Sequence, residues 1–513
     1  MQSDPDAIVI GAGPNGLVAA AVLGRAGLRV LVLEANPQRA GGALGSEEAT
    51  LPGFVHDVGA AFFPFARASP AFQDLDLEGA GVRWLNAPIE SAHPAPDGSI
   101  AIISRDHEVT AKHFGDARDG DAWRRLATWH AAVESDILGF LLRPLPALRP
   151  LLRLLPFDLF RLARILMSSG AGLSERLFRS VAARRVLPGL ALHVDLGPDD
   201  TFSAGLGYML GLTGSTGGYC IPQGGAQTIT DALVRLIEGY GGEVRLGARV
   251  QRIIARDGRA QAVQLADGSE IRARRAVLAN TAAPSLLLDL LDRKLVPGRV
   301  VRAMKRFPHA WGAFKVDWAL DAPVPWSSEL ARQSAVVHAG DSLDDLRRFT
   351  AQVRGGEIPD NPYLVVGQQS ITDPSRAPAG KHTLWAYSRV PPSVKGGWAS
   401  HAERLADAVD ARIEGLAPGF RTHILGRRVV SPQDLEAMDA NLVGGDLGGG
   451  SNAWHRQLIF RPIFPYYQYR MPLRGLYLCS SYAHPGAGVH GMCGYNAATI
   501  ALKDLGVSAR PTS

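Results

Sequence analysis

The feature that most constrains the fold is a strand–turn–helix–strand pattern in the first 34 residues. A short apolar run, Ala7–Ile10, leads into Gly11-Ala-Gly-Pro-Asn-Gly16, then a helical stretch rich in alanine and leucine, and a second apolar run before Glu34. This order is typical of a βαβ dinucleotide-binding unit. Its first glycine permits a tight turn, its second admits a pyrophosphate, and its third lets helix and strand pack closely. The pattern predicts an α/β chain with a Rossmann-type domain and a mainly parallel sheet.

The acid at the end of this unit narrows the choice of nucleotide. Glu34 follows the second apolar run, where a carboxylate accepts hydrogen bonds from ribose hydroxyls and repels a 2′-phosphate. The helix N-terminus offers free N–H groups and a positive dipole end to the phosphates. The chain has one such fingerprint, so we expect no stable site for NADH or NADPH.

Bulk composition excludes several other classes of protein. A chain of 513 residues predicts two or three domains. Cys220, Cys479 and Cys493 are too few for a disulfide framework and form no CxxC pair, so we expect no metal site and a reducing, cytoplasmic location. A net charge of +5 without a nucleic-acid motif argues against a nucleic-acid partner. Neither a signal peptide nor a membrane-spanning run is expected.

A second glycine-rich segment distinguishes the possible nucleotides. Arg39-Ala-Gly-Gly42 follows the second predicted strand, and Asp57-Val-Gly59 comes soon after. This segment resembles the extended FAD-binding region of the flavin amine oxidase and phytoene desaturase superfamily, which implies non-covalent FAD as the cofactor. The superfamily's usual arginine after the double glycine is Ala43 here, so one phosphate contact is missing or is supplied by Arg39.

The C-terminal segment carries the most specific resemblance. A predicted strand, 474–480, precedes His484-Pro-Gly-Ala-Gly-Val-His-Gly-Met-Cys-Gly494. This segment is similar to the carotenoid desaturase, carotenoid ketolase and retinol saturase group. It is most similar to the phytoene-desaturase-like branch named for a pyridine nucleotide-disulphide oxidoreductase domain. The resemblance covers nearly all of the chain, and it implies that the final helix points its N-terminus at the isoalloxazine.

The fingerprint and the resemblance together predict a set of FAD contacts spread over the chain. These are Gly11, Ala12, Gly13, Pro14, Asn15, Gly16, Glu34, Ala35, Arg39, Gly41, Gly42, Ala43, Gly59, Val250, Asn280, Ser481, Val489, Gly491 and Met492. The chain departs from the group's pattern at Ser480 and Ser481, and at His490 and Met492 beside the predicted flavin.

The separated motifs predict a discontinuous FAD domain. We assign 1–75, 215–300 and 440–513 to it, and 76–214 with 301–439 to an inserted mixed α+β substrate domain. The flavin is expected where the two meet, because ligand sites favour domain junctions.

A Leu- and Arg-rich stretch within the insert, 137–170, includes Leu151–Leu155 and predicts two short helices broken between Pro144 and Pro156. It is interpreted either as a membrane-surface patch or tunnel mouth for a lipid, or as a helical pair packed on its own domain.

Three side chains are candidates for chemistry near the flavin. Lys315, in the predicted strand from Ala313 to Leu320, resembles the amine oxidase lysine that holds a water at flavin N5; its alternative is a surface lysine at a strand edge. His484 and His490 flank the glycine-rich turn, as proton relays or as turn-packing groups.

Less direct roles remain open for two further features. Cys493 is interpreted as an apolar filler rather than a flavin tether. Tyr466, Tyr467 and Tyr469 are predicted to be strand-like, lining the pocket or packing in the core.

These observations leave three functions open. The first is an FAD-dependent oxidase or desaturase that removes hydride from a small apolar, polyene or isoprenoid-like substrate and passes electrons to oxygen or a quinone. The second is a flavin amine oxidase. The third is a redox-neutral flavin isomerase or a non-catalytic FAD-binding protein. The sequence does not define the oligomeric state.

Overall fold

The computed structural model describes residues 4–154 and 156–508. Its strands are β1 Ala7–Ile10, β2 Val30–Leu33, β3 Ser46–Glu48, β4 Val55–Asp57, β5 Trp84–Leu85, β6 Ile89–Pro94, β7 Ile100–Ile103, β8 Ile221–Pro222, β9 Glu243–Arg245, β10 Val250–Arg256, β11 Arg259–Leu265, β12 Glu270–Arg272, β13 Ala276–Ala279, β14 Gly312–Leu320, β15 Ser334–Ala339, β16 Leu364–Gly367, β17 His382–Val390, β18 Ile424–Val430 and β19 Leu476–Leu478.

Its α-helices are α1 Pro14–Arg25, α2 Pro70–Asp74, α3 His107–Lys112, α4 Ala117–Leu141, α5 Leu148–Arg153, α6 Phe157–Leu166, α7 Gly170–Leu177, α8 Val181–Arg184, α9 Val186–Ala191, α10 Ser203–Thr216, α11 Gln227–Gly239, α12 Ala283–Ser285, α13 Gly298–Met304, α14 Glu329–Arg332, α15 Leu343–Arg354, α16 Gln369–Thr372, α17 Ala402–Leu416, α18 Pro432–Met438 and α19 Met492–Asp504.

A five-stranded parallel sheet is built around β1, in the order β19-β13-β1-β2-β9. All four residues of β1 and of β2 are buried, as expected for strands covered on both faces. Helix α1 begins with Pro14, whose missing N–H costs nothing at that position, and ends before Gly27, which has a φ of +90°. A separate three-stranded antiparallel sheet has the order β10-β11-β12, and a turn at Asp267-Gly268 joins β11 to β12.

A second, seven-stranded mixed sheet has the order β18-β14-β17-β16-β15-β6-β7. One face packs on α17 through a core that includes Phe314, Trp318, Trp398 and Phe420.

A parallel sheet beside a mixed sheet confirms the predicted α/β class. The strands of the parallel sheet all fall within the segments assigned to the cofactor domain, and those of the mixed sheet within the inserted segments; the domain bounds themselves remain predictions. Residues 1–3 and 509–513, at the two ends of the segments assigned to the cofactor domain, lie outside the described residues.

Two local predictions need correction. The segment Ile137–Leu141 is not part of a short helix, because it completes the 25-residue α4; α5 and α6 follow as separate short helices. Leu155 lies outside the described residues. Tyr466 and Tyr467 are in a single 3-10 turn rather than a strand, and Tyr469 follows with a φ of +68°. The turn lies after two prolines, Pro462 and Pro465, which lack the N–H that a strand ladder needs.

No helix within 4–154 or 156–508 is long and apolar enough to cross a membrane.

Candidate active site

The glycine fingerprint forms a turn that opens onto a largely apolar cavity. Gly11 has a φ of +89°, and a β-carbon on Gly16 would lie 2.2 Å from the Gly11 carbonyl oxygen. Helix α1 has no side-chain cap, and Gly13, Pro14 and Asn15 line the cavity. The first N–H groups of a helix have no intrahelical acceptor, so this end is suited to a phosphate.

Glu34 lies beside this turn at the end of β2. One carboxylate oxygen accepts from the Ala12 N–H at 2.7 Å, and the other accepts from the Asn36 N–H at 2.8 Å. The carboxylate is therefore fixed next to the turn, and each oxygen keeps a lone pair for a ribose hydroxyl. Ala35 is exposed beside it. Val250 is half-buried at the start of β10 and does not line the cavity, although nearby Ala248 donates its N–H to the Glu34 carbonyl.

The double glycine, Gly41-Gly42, packs against the fingerprint turn. Gly41 and Gly42 have φ values of +113° and +54°, and a β-carbon on Gly42 would lie 3.7 Å from the Gly13 Cα. Ala43 and Gly59 line the cavity directly after it. The Nη1 of Arg39 is buried without a hydrogen-bond partner among the described residues. This orphaned donor fits the prediction that Arg39 contributes a phosphate contact, which stays a prediction.

Asn280 and helix α19 complete this end of the cavity. Asn280 directly follows β13 and lines the cavity, and its amide nitrogen would lie 2.7 Å from a β-carbon on Gly13. Helix α19 begins after Gly491, whose φ is +66°, and it has no side-chain cap. Ser481 and Val489 line the cavity, whereas Met492 is buried outside its lining.

The cavity extends from the fingerprint turn to the seven-stranded sheet. The volume of the cavity is about 330 Å³. Most of its wall is apolar, including Leu44, Val58, Ala60, Ala61, Phe62, Phe63, Phe65, Val194, Leu206, Leu210, Val336, Val365, Leu435, Leu442 and Leu447.

One face of the seven-stranded sheet supplies the far wall. Ala313 and Lys315 on β14 lie directly opposite Arg389 and Tyr387 on β17, and Trp385 is the next residue on the same face. All five line the cavity. They share a face because side chains of a strand alternate with a period of two.

Lys315 is buried and lies in a central strand, so the alternative of a surface lysine at a strand edge is wrong. Strand β14 is paired on both sides, and the residue is 6% exposed. Its ammonium binds both carboxylate oxygens of Asp317, at 2.5 Å. Burial raises the pKa of Asp317, although the Lys315 charge opposes the shift. Burial lowers the pKa of the neighbouring His56 to about 3, and Lys315 adds to the shift, so this imidazole is neutral.

His484 and His490 lie behind the glycine-rich turn and do not line the cavity. Both are buried, and burial lowers the pKa of each to about 4. The His490 Nδ1 accepts from the Met492 N–H at 3.0 Å, which fixes the start of α19. Both imidazoles are therefore neutral near pH 7. Their part in proton transfer stays a prediction.

A group of buried aromatic and imidazole side chains begins in the sheet wall and includes His193, which also lines the cavity. The Tyr387 hydroxyl is 3.0 Å from His193 Nδ1, and His193 Nε2 is 2.8 Å from His338 Nε2. Burial lowers the pKa of His193 to about 3, helped by the Arg389 charge, and burial raises the pKa of Tyr387 to about 12. These groups are uncharged at neutral pH.

The cysteines and possible metal ligands add no further site. Cys220, Cys479 and Cys493 are buried thiols, and burial raises the pKa of Cys493 to about 11. Within the described part of the chain, no cluster of three His, Cys, Asp or Glu side chains is arranged to hold a metal ion.

Comparison with known proteins identifies the family. The family model described as flavin containing amine oxidoreductase matches residues 15–492. The chain belongs to this family. Membership implies a flavin cofactor, and the uncapped α1, the Gly13 approach and the orphaned Arg39 donor fit the phosphates of such a group.

Relatives of this flavin amine oxidoreductase chain include desaturases. It is 29% identical to rat (Rattus norvegicus) pyridine nucleotide-disulfide oxidoreductase domain-containing protein 2, over 98% of this chain and 94% of that protein. It is 26% identical to the lycopene-forming phytoene desaturase of Pseudescherichia vulneris, over 96% and 98%. An oxidoreductase structure from Methanosarcina mazei has a TM-score of 0.65 at 18% identity, over 97% and 99%. The suspected family and an FAD-dependent type of oxidoreductase are thus confirmed.

Sequence reasoning missed the far wall of the cavity. The sequence did not identify four residues that line it: Trp385, Tyr387 and Arg389 on β17, and His193 shortly after α9. The available signal was the alternation Trp-x-Tyr-x-Arg in β17, which places large polar-tipped side chains on one face. That signal does not say which face meets the cofactor.

Proposed function

We propose that the chain binds FAD non-covalently and removes hydride from a small apolar substrate of the polyene or isoprenoid class. The observation that carries this proposal is the continuity of one largely apolar cavity from Gly13 at the fingerprint turn to Trp385 on the sheet. An apolar cavity with few polar groups favours a hydrocarbon-like ligand, because burying polar groups without partners is costly. The relative from Pseudescherichia vulneris, a phytoene desaturase, supports the same class.

Bound FAD supplies the acceptor for a hydride from carbon. In a desaturation, two C–H bonds of the substrate break, one leaving as hydride and the other as a proton, and a carbon–carbon double bond forms. The two electrons then reduce oxygen to hydrogen peroxide or a quinone to a quinol. The protein residues bind and orient the substrate and exclude water: Phe62, Phe65 and Trp385 present rings to the cavity.

Charge on the sheet wall of the cavity argues against an amine substrate at that wall. The sheet wall carries Lys315 and Arg389, and only Lys315 has a carboxylate partner there. A protonated amine would meet net positive charge at this wall, and like charges in a low-dielectric site repel strongly. The stacked rings of Trp385 and Tyr387, 5.4 Å apart, are the feature that an amine substrate would use instead.

Anaerobic bleaching of the bound flavin tests this assignment. We expect the flavin to be released intact as FAD on denaturation, and to be reduced by an unsaturated isoprenoid but not by alkyl or aryl amines. Bleaching by amines alone would favour an amine oxidase. A reaction that needs reduced flavin yet consumes no electrons would identify an isomerase.

We also propose a peripheral contact with a membrane surface through α5 and α6. Leu152 on α5, with Phe157 and Phe160 on α6, expose 64%, 83% and 67% of their surfaces. Arginines accompany them at Arg149, Arg153 and Arg164. Exposed aromatic and aliphatic side chains beside arginines suit the interface of an anionic bilayer. Helix α6 packs on α10, which provides Leu206 and Leu210 to the cavity wall.

A further inference from the structure

Arg389 is a buried cation without an acidic partner. It is 5% exposed and lines the cavity on the same sheet face as Tyr387. Its Nη2 donates to the His193 carbonyl oxygen, while its Nε is buried and has no acceptor among the described residues. Its guanidinium carbon lies 5.3 Å from the centre of the Tyr387 ring.

The other buried cations of the described chain are better satisfied. Lys315 and Arg376 pair with the carboxylates of Asp317 and Asp57. Arg185 and Arg461 each make four hydrogen bonds to oxygen acceptors. A buried charge is ordinarily paired or fully hydrogen-bonded, since removing it from water is costly.

The surroundings of Arg389 do not neutralise it. No carboxylate within 4–154 or 156–508 forms an ion pair with it, including the cavity-lining Asp439 and Asp446. The Asp446 carboxylate already accepts the N–H groups of Ala310, Gly448 and Gly450. Beside the guanidinium stand the uncharged Tyr387 and His193. Arg389 therefore presents a positive charge without a carboxylate partner to a largely apolar cavity, whose other ionisable lining residues include Lys315, Asp439 and Asp446.

We propose that Arg389 binds the carboxylate of the substrate, which is therefore an isoprenoid-like or similarly apolar monocarboxylic acid. This inference rests on the proposed function, because it takes the cavity as the substrate site. A planar guanidinium whose Nη1 has no acceptor among the described residues matches a carboxylate in geometry, and a charge-assisted hydrogen bond in a dry site is stronger than a neutral one. The apolar wall holds the chain of the acid, and Arg389 sets which end enters first.

Binding of farnesoic acid and farnesol to the flavin-loaded protein tests the proposal. The two probes share one apolar chain and differ in the carboxylate, and both are followed by the change in the flavin absorption spectrum. We expect the wild-type protein to bind farnesoic acid at least about 10-fold more tightly than farnesol at pH 7.5, the size of one charge-assisted hydrogen bond. Methyl farnesoate should bind like farnesol.

Substitution of Arg389 then tests whether this residue causes the preference for the acid over the alcohol. Arg389→Gln should weaken the binding of farnesoic acid about 10-fold and leave the binding of farnesol unchanged. Arg389→Lys should recover part of the affinity for the acid. The matched control is Arg404→Gln, which changes an exposed arginine. Equal affinity of the wild-type protein for acid and alcohol would overturn the proposal while leaving the apolar cavity standing. If neither farnesoic acid nor farnesol binds, both this proposal and the proposed function are overturned. Loss of flavin in a folded Arg389→Gln protein would assign Arg389 to the cofactor and overturn it as well.

Discussion

The carbonyl oxygen of Asn15 lies 1.8 Å from the point where a β-carbon on Gly494 would stand. Helices α1 and α19 therefore touch backbone to backbone at their first turns, and only glycine permits the contact. The N-cap residues Gly13 and Gly491 carry no capping side chain, so the first-turn N–H groups of both helices, other than that of Met492, converge on one region. Residues separated by almost the whole chain thus build a single anion-attracting corner.

Gly494→Ala should damage both the fold and cofactor binding. The added methyl meets backbone, which cannot rotate away, so we expect a loss of about 1–3 kcal/mol in the free energy of unfolding together with loss of flavin. Urea unfolding and the absorbance of the purified protein measure the two effects. The control is Gly415→Ala on α17, where a β-carbon meets no atom within 4 Å. A fully yellow, fully stable Gly494→Ala protein would contradict the packing.

Gly13→Val should separate cofactor binding from folding. The nearest atom to a β-carbon there is the side-chain nitrogen of Asn280, which can rotate, while the rest of the valine points into the cavity. We expect a folded but colourless protein with nearly unchanged circular dichroism. A valine variant that retains stoichiometric flavin would show that no pyrophosphate approaches Gly13.

Lys315→Met should slow reoxidation of the reduced flavin by oxygen about 10-fold or more. The first electron transfer to oxygen builds negative charge, which a nearby ammonium stabilises by about 1.5–3 kcal/mol. Stopped-flow reoxidation after photoreduction isolates this step without a substrate. Asp317→Asn is the matched variant, because it keeps the ammonium and removes its partner. Equal rates in the wild-type and Lys315→Met proteins would exclude the role.

His490 should make the stability of the protein sensitive to mild acid. Its pKa of about 4 lies below the ordinary value of 6.5, so the unfolded chain binds more protons below pH 6.5 and folding loses stability as the pH falls. Between pH 7.5 and 5.5 this group alone accounts for about 1 kcal/mol. His490→Asn keeps an acceptor for the Met492 N–H and should reduce the loss by that amount in urea titrations. An unchanged pH dependence would rule the assignment out.

Phe157→Ser combined with Phe160→Ser should weaken binding to anionic vesicles at least several-fold, since each aromatic side chain contributes buried apolar area at the interface. Co-sedimentation with vesicles of phosphatidylcholine and phosphatidylglycerol measures this. Leu425→Ser, which changes an exposed leucine on β18, is the control. Binding that does not differ from the control would remove α6 from any membrane contact.

The sequence allowed the cofactor half of the fold to be predicted because its signals are local. The segment from Ala7 to Glu34 contains a complete βαβ unit, and each glycine has a reason within a few residues. The far wall could not be predicted in this way. Arg389 meets His193 across almost 200 residues of sequence, through a sheet whose strand order follows from no local pattern. The buried state of Lys315 likewise depends on β17 and β18 pairing on both sides of β14.

The strand order of the parallel sheet has a consequence for how the protein is made. Strand β1 leaves the ribosome more than 460 residues before β19 and α19, which complete its sheet and its corner. A nascent chain stopped at residue 470 would hold the fingerprint but neither of these elements. We expect such a chain to bind no flavin and to expose the apolar face of α1 that α19 covers, a surface for chaperones. The cofactor would then enter only after α19 has been synthesised, so flavin supply can limit the yield of folded protein but not the rate of its translation.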